Sequence, residues 1–268
     1  MSTDSNSYKS IITQVFRTCT INISQTYNIF QYLTSIRHCS LNIKWKYMQY
    51  TKSQLAATID HTILRPDALP SDIERLCKEA IQYSFASCCV NPTFVPLAKE
   101  LLGESDVKVC TVIGFPLGAN ASEIKFNETE LAIFNGATEI DMVINIGRFI
   151  GGDIEYTRRE ISTIAQICRN AKVLLKVIVE TCLLQDAQIA EITKIVEEAG
   201  ADYIKTSTGF SSAGASLSDI NIFKQNIKGS LKIKASGGIR DLKFALELLE
   251  AGAERLGTSA GIKIVESL

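Results

Sequence analysis

Histidine and tryptophan are the scarcest residues in this 268-residue chain, with two histidines (His38 and His61) and one tryptophan (Trp45). Two histidines in the whole chain argue against a zinc site that needs two or three imidazoles, so no metal is expected. The eight cysteines never form a C-x-x-C pair, and several lie inside apolar runs. That usage fits thiols kept reduced in the cytoplasm better than a disulfide framework. Net charge is also scarce: a formal −1 excludes a nucleic-acid binder held by phosphate neutralisation. No apolar run approaches the roughly 20 residues of a membrane span, so no membrane partner is expected. Finally, no G-x-G-x-x-G opens a helix after a strand, which argues against a dinucleotide-binding sheet. What the chain has in quantity is hydrophobic side chain, 46% of residues, enough for a continuous core.

Residues 1–50 lack Glu, Gly and Pro altogether and carry five Lys/Arg against one acid, Asp4. Residues 51–268 carry the remaining 23 Lys/Arg and 28 Asp/Glu, a net of −5. Ile11, Ile12, Val15 and Phe16 have the spacing of a short amphipathic helix. The Ser-rich, acid-poor composition is shared with organelle transit peptides, but arginine is sparse and no cleavage signal is evident. Residues 1–50 therefore read as a poorly ordered extension without chemistry, and 51–268 as the catalytic unit.

From Leu55 onward, short β-branched runs alternate with amphipathic stretches. Eight strands are expected, at 58–61, 86–90, 108–113, 139–145, 173–180, 203–207, 232–235 and 255–257. Ile189, Ile192, Val196 and Ala199 follow helical spacing ahead of Gly200, as do Leu242, Ala245, Leu246 and Leu249 ahead of Gly252. Ile161, Ile164, Ala165 and Cys168 form another stripe. Gly136-Ala137-Thr138, Gly200-Ala201-Asp202 and Gly252-Ala253-Glu254 repeat one helix-to-strand joint three times. Strands alternating with helices pair in parallel, and eight such units close into a single (β/α)8 TIM barrel, an α/β fold. A doubly wound open sheet is the alternative.

Active sites in such barrels lie at the C-terminal strand ends, and alternation selects the side chains that point inward. Tyr203, Lys205 and Ser207 share one face; so do Lys232, Lys234 and Ser236, and Lys176, Ile178 and Glu180; the fourth strand offers Asp141, Val143 and Asn145. Lysine is rare inside strands. Each one can be an ordinary ion pair, Lys176 with Glu180 for instance, yet three on adjacent strands suggest a reactive cluster. Neighbouring cations and burial both lower an ammonium's pKa, which would prepare Lys205, with Lys234 beside it, to attack a carbonyl. Asp141 would shuttle protons with Lys234. Small polar loops follow strands six, seven and eight (206–209, 236–238, 257–259), suited to a phosphate, with Arg240 as added charge.

Together these residues form a set that resembles the deoxyribose-phosphate aldolase family in its bacterial form. The resemblance rests on IDHTILRPDA (59–68), ASCCVNPTFVPLAKELL (86–102), VCTVIGFPLGAN (109–120), EIDMVINIGRF (139–149), LLKVIVETCLL (174–184), GADYIKTSTGFSSAGAS (200–216), IKASGGIRD (233–241) and RLGTSAG (255–261). It implies reversible cleavage of 2-deoxy-D-ribose 5-phosphate to D-glyceraldehyde 3-phosphate and acetaldehyde, a step of deoxyribonucleotide breakdown, without metal or organic cofactor. It carries the Schiff-base role onto Lys205, the second lysine onto Lys234 and the proton relay onto Asp141. Asp60, Thr62, Lys176 and Thr206 would then contact substrate, and Gly209, Gly237, Gly238, Gly257 and Ser259 the phosphate. A homodimer is expected from the resemblance alone. The chain departs from the pattern at Phe210, where some relatives carry a lysine, and at Ala260, where others have a serine. Cys89 falls where relatives carry a thiol near the pocket, and reads here as a packed core residue. Two rival functions remain: an aldolase or transaldolase for another sugar phosphate, and an inactive barrel that only binds.

Overall fold

One structural joint, used repeatedly, builds this protein. The computed structural model describes residues 50–268; the expected helix around Ile11–Phe16 and the rest of residues 1–49 lie outside the described residues. In α4 (Ser122–Phe134), α7 (Asp186–Glu198) and α9 (Leu242–Ala251), the chain leaves the helix through a glycine with positive φ: Gly136 at 106°, Gly200 at 85° and Gly252 at 127°. At each of these ends the next N–H reaches back five residues, Ala137 to Ala132, Ala201 to Val196 and Ala253 to Leu248. This is the Schellman closure, which satisfies carbonyls that the helix end would otherwise leave orphaned. The residue after that donates to the preceding strand: Thr138 to Val109, Asp202 to Leu175, Glu254 to Ile233. Helix termination and strand entry are thus completed within three residues.

The same joint ends α2 (Pro70–Tyr83) and α6 (Ile154–Ala171), but without glycine. Ser84 (φ 55°) and Lys172 (φ 58°) take the left-handed position, and Phe85 and Val173 make the five-residue return bonds to Ala80 and Cys168.

The strands are β1 (Ile59–Ile63), β2 (Ser87–Val90), β3 (Lys108–Ile113), β4 (Glu139–Val143), β5 (Leu174–Ile178), β6 (Tyr203–Lys205), β7 (Lys232–Ser236) and β8 (Arg255–Thr258). All neighbours pair in parallel, and β8 pairs back onto β1 through Ile59–Leu256, Asp60–Gly257 and His61–Thr258, closing the barrel. The open-sheet alternative is thereby excluded. The remaining helices are α1 (Lys52–Ala56), α3 (Val95–Leu102), α5 (Ile146–Ile150), α8 (Leu217–Asn226) and α10 (Gly261–Glu266). Among the described residues no helix is long and apolar enough to cross a membrane.

Three strands end earlier than expected, β4, β5 and β6, the last at Lys205 rather than at residue 207. β4 stops at Val143 because Asn145 caps α5, its side chain accepting the Arg148 N–H at 3.2 Å. β5 stops at Ile178, ahead of Glu180, whose backbone is left-handed.

Core formation follows the helical stripes. Ile73, Leu76, Cys77 and Ala80 of α2, Ile161, Ile164, Ala165 and Cys168 of α6, and Ile189, Ile192 and Val196 of α7 are buried against the outward faces of the strands. Each fully buried Ile or Leu contributes on the order of 1.5–3 kcal/mol. That apolar layer holds the barrel closed around an interior that carries a cluster of charges.

Candidate active site

Inward positions at mid-barrel carry charge. β-Register sets Asp141 beside Lys176, Lys205 beside Lys234, and Lys234 beside Arg255. Asp60, Asp141, Lys176 and Lys234 are all 0% exposed, and Lys205 is 3% exposed. Charges in such a position survive only if paired. Here each has at least one partner.

Asp141 is the hub. Its Oδ1 accepts Lys176 Nζ at 2.8 Å, and its Oδ2 accepts both Lys205 Nζ at 2.7 Å and Lys234 Nζ at 2.6 Å. Asp60 lies beneath, with Oδ2 2.5 Å from Lys234 Nζ and Oδ1 accepting Ser87 Oγ at 2.7 Å and Arg255 Nε at 2.8 Å. Glu139 completes the floor, holding Lys176 Nζ at 2.7 Å and accepting Arg255 Nη2 through both oxygens at 2.8 Å.

This interleaving corrects two expectations. Lys176 does not pair with Glu180; it is held by Glu139 and Asp141, while Glu180 faces the loop after β6. Nor do the lysines simply depress one another. Burial pulls Lys234 down, but Asp141 and Asp60 together outweigh it and hold the ammonium above the usual lysine range. Lys176 behaves alike: burial is overcome by Asp141, Cys110, Glu139 and Asp60. Burial would raise the carboxyls, yet Lys176, Lys205 and Lys234 keep Asp141 well below the ordinary range. Lys234, Arg255 and Lys176 do the same for Asp60.

Above this layer, at the C-terminal strand ends, opens a cavity of about 920 Å³. Of the three inward lysines only Lys205 lines it; Lys176 and Lys234 do not. Thr62, Gly209, Gly237, Gly238, Gly257 and Ser259 line it as well, with Thr208, Ser236 and Arg240. Asp60, Lys176 and Thr206, expected as substrate contacts, do not reach it. Asp60 and Lys176 belong to the charged floor, and Thr206 turns to the neighbouring strand, its hydroxyl donating to Ser236 O at 3.2 Å.

The loops after β6 and β7 are fitted to one another by close backbone contact. A Cβ on Gly237 would lie 2.9 Å from Gly214 Cα and 3.4 Å from Gly209 Cα, and Gly237 itself has φ 83°. A side chain there would push the loops after β6 and β7 apart. Ser236 Oγ donates to Ser207 O at 2.5 Å, tying the same two loops from below.

Cys89 is 1% exposed and packs with Leu64, Cys110 and Val112; it does not itself line the cavity, though Leu64 does. Its sulfur, that of Cys110 and an Asp141 oxygen lie within 4.8 Å of one another. A metal ion between them would sit against a carboxylate already shared by three ammonium groups, so this donor set does not suit a cation. Arg255 and Glu139 were not singled out from sequence, and Glu180 entered only as an ion-pair partner for Lys176. The first two carry a readable signal, since each lies two residues before an inward residue, Gly257 and Asp141.

The family model of the DeoC/LacD family aldolases matches residues 54–267. A deoxyribose-phosphate aldolase of Treponema denticola is 53% identical over 212 residues, covering 79% of this chain and 98% of that protein. One from Caldicellulosiruptor saccharolyticus is 52% identical over 216 residues, 80% of this chain and 98% of its own length. Among solved structures, the tetrameric deoxyribose phosphate aldolase of Aeropyrum pernix superposes with a TM-score of 0.75 at 33% identity, covering 81% of this chain and 92% of that one. The chain belongs to the DeoC/LacD aldolase family.

Proposed function

We propose that this protein reversibly cleaves 2-deoxy-D-ribose 5-phosphate to D-glyceraldehyde 3-phosphate and acetaldehyde through a Schiff base on Lys205. The observation that carries the reading is the position of Lys205, the one inward lysine on the cavity wall, hydrogen-bonded to Asp141 beneath it. Lys176, Lys234 and Arg255 meet Asp60, Glu139 and Asp141 in the floor beneath the cavity, so Lys205 is the inward lysine left to face a substrate. An amine must be neutral to add to an aldehyde.

In the synthetic direction Lys205 Nζ adds to acetaldehyde, and loss of water gives an iminium. Its charge acidifies the adjacent C–H, and removal of that proton gives an enamine. The enamine carbon attacks the aldehyde of glyceraldehyde 3-phosphate, and water then releases the product from Lys205. Asp141 Oδ2, shared between Lys205 and Lys234, offers a short path for the protons that each step moves. The phosphate is held by Gly209, Gly237, Gly238, Gly257 and Ser259, and Thr62 faces the sugar. A cytoplasmic homodimer completes the proposal; Ile124, Leu131 and Phe134 expose apolar surface on α4 at helical spacing, as a self-associating face would.

Borohydride reduction in the presence of acetaldehyde, followed by peptide mass mapping, tests the mechanism. A reduced two-carbon adduct on Lys205, absent from Lys205→Leu, is the expected result. A label confined to Lys176 or Lys234 would overturn the assignment. Acetaldehyde release across a panel of sugar phosphates separates this substrate from those of related barrel aldolases.

A further inference from the structure

Among the described residues, three non-glycine residues have positive φ. Ser84 and Lys172 end helices, where the left-handed conformation is ordinary. Glu180 ends none. With φ 54° and ψ 64° it sits just beyond β5, between two residues that stay paired to the extension of β6: Val179 N donates to Lys205 O and Thr181 N to Thr206 O, both about 3 Å. A left-handed Glu costs on the order of 1 kcal/mol or more, and its surroundings must hold it there.

What holds it is the loop after β6. Glu180 is 2% exposed, and among the described residues it makes no ion pair. Its carboxylate accepts the Thr208 N–H (3.3 Å to each oxygen) and the Thr208 hydroxyl in a very short contact. Cys182 Sγ lies 3.8 Å from Oε1. Because the Thr208 hydroxyl gives its proton to Glu180, its oxygen is free to accept, and it takes the Phe210 N–H at 3.1 Å. The N–H groups on both sides of Gly209 are therefore committed, one directly to Glu180 and one through Thr208. The Gly209 N–H between them has no partner among the described residues, and Gly209 is on the cavity wall.

We propose that Glu180 is a positioning residue for the substrate's phosphate: through Thr208 it fixes the turn that leaves the Gly209 N–H open to an anion. A buried carboxylate suits this task because it accepts several hydrogen bonds and donates none, so Thr208 can be held only as a donor. The strained backbone points the side chain at Thr208 rather than along the β5 face that carries Lys176. The inference rests on the reading of the cavity as a deoxyribose 5-phosphate site, and its consequence is selectivity for the phosphorylated substrate.

The test compares steady-state kinetics on 2-deoxyribose 5-phosphate and on 2-deoxyribose for the wild type, Glu180→Gln and Thr208→Val. In Glu180→Gln the ratio of kcat/KM for the phosphorylated over the unphosphorylated sugar is expected to fall by about tenfold, chiefly through KM, as for a lost charge-assisted hydrogen bond. Thr208→Val should shift the ratio the same way, and the double variant should add little, since both act through one contact. Equal losses on both sugars, or an unchanged ratio, would refute the proposal in favour of a purely structural Glu180. If Glu180→Gln does not fold, Thr208→Val carries the comparison. Should the wild type cleave neither sugar, the functional reading fails; calorimetric titration with inorganic phosphate then decides the inference, weaker binding by the variants supporting it and equal binding overturning it.

Discussion

Residue by residue, this barrel places its strongest interactions where a protein core usually places none. Lys176 tests that view, because it touches Glu139 and Asp141 but not the cavity. Lys176→Met keeps the volume and strands two carboxylates with one cation fewer; breaking a buried pair in this way costs about 3–5 kcal/mol. Urea unfolding should show that loss, while the folded fraction still forms the reducible adduct on Lys205. A loss below about 1 kcal/mol would mean the floor tolerates an unbalanced charge. Strand alternation alone made the inward lysines and Asp141 legible in the sequence, because period two is geometric and independent of partners. It left Asp60 and Lys176 indistinguishable from substrate contacts, since depth along the barrel axis depends on register. Glu180 was misread for another reason: alternation assumes an extended backbone, and this residue is left-handed.

At the scale of elements, the Schellman joint explains what was readable and what was not. Where glycine fills the left-handed position, as in 136–138, 200–202 and 252–254, the joint appears in the sequence as a repeat. Where Ser84 and Lys172 fill it, the backbone does the same thing without the marker. Strand ends were over-extended wherever an apolar run outlasted the pairing, at Asn145 and at Glu180. Both ends are stopped by polar side chains whose partners lie in another segment or on the following helix. The joint also yields a prediction. Ser84 and Lys172 are exposed and have φ of 55° and 58°, so glycine relieves a steric cost without removing a buried contact. Ser84→Gly and Lys172→Gly should each raise the unfolding free energy by about 0.5–1 kcal/mol, despite the greater freedom of the unfolded chain. Denaturant midpoints measure this directly. Glu180→Gly should instead destabilise, because there the side chain is what the loop is built on.

Across the whole molecule, the two kinds of buried titratable group give stability a defined pH profile. Asp60 and Asp141 have folded pKa values below their ordinary 3.8, so their contribution is complete above that value and is lost as pH falls through the lower, folded one. Lys176 and Lys234 lie above their ordinary 10.5, so theirs is complete below it and is lost only as pH rises through the higher value. Between these limits Asp60, Asp141, Lys176 and Lys234 do not change protonation, and a slope near neutrality must come from elsewhere. His61 is the group placed to supply it. It is a buried residue whose ring lies 4.9 Å from the Phe85 ring between centroids and meets Glu79 Oε2 through Nε2 at 2.8 Å. Burial lowers its pKa below 6.5, Arg75 adds to the effect, and Glu79 opposes it without cancelling it. The unfolded chain therefore binds the proton more readily than the folded one, and stability must decline as pH falls from 6.5 toward the folded value. Urea midpoints measured at pH 8.0 and at about pH 5.5 should differ, the higher pH being the more stable. His61→Gln, which cannot take up the proton, should flatten that difference even if its stability at pH 8.0 is lower. An equal slope in the variant would move the origin of the effect away from the β1–α2 contact that His61 makes.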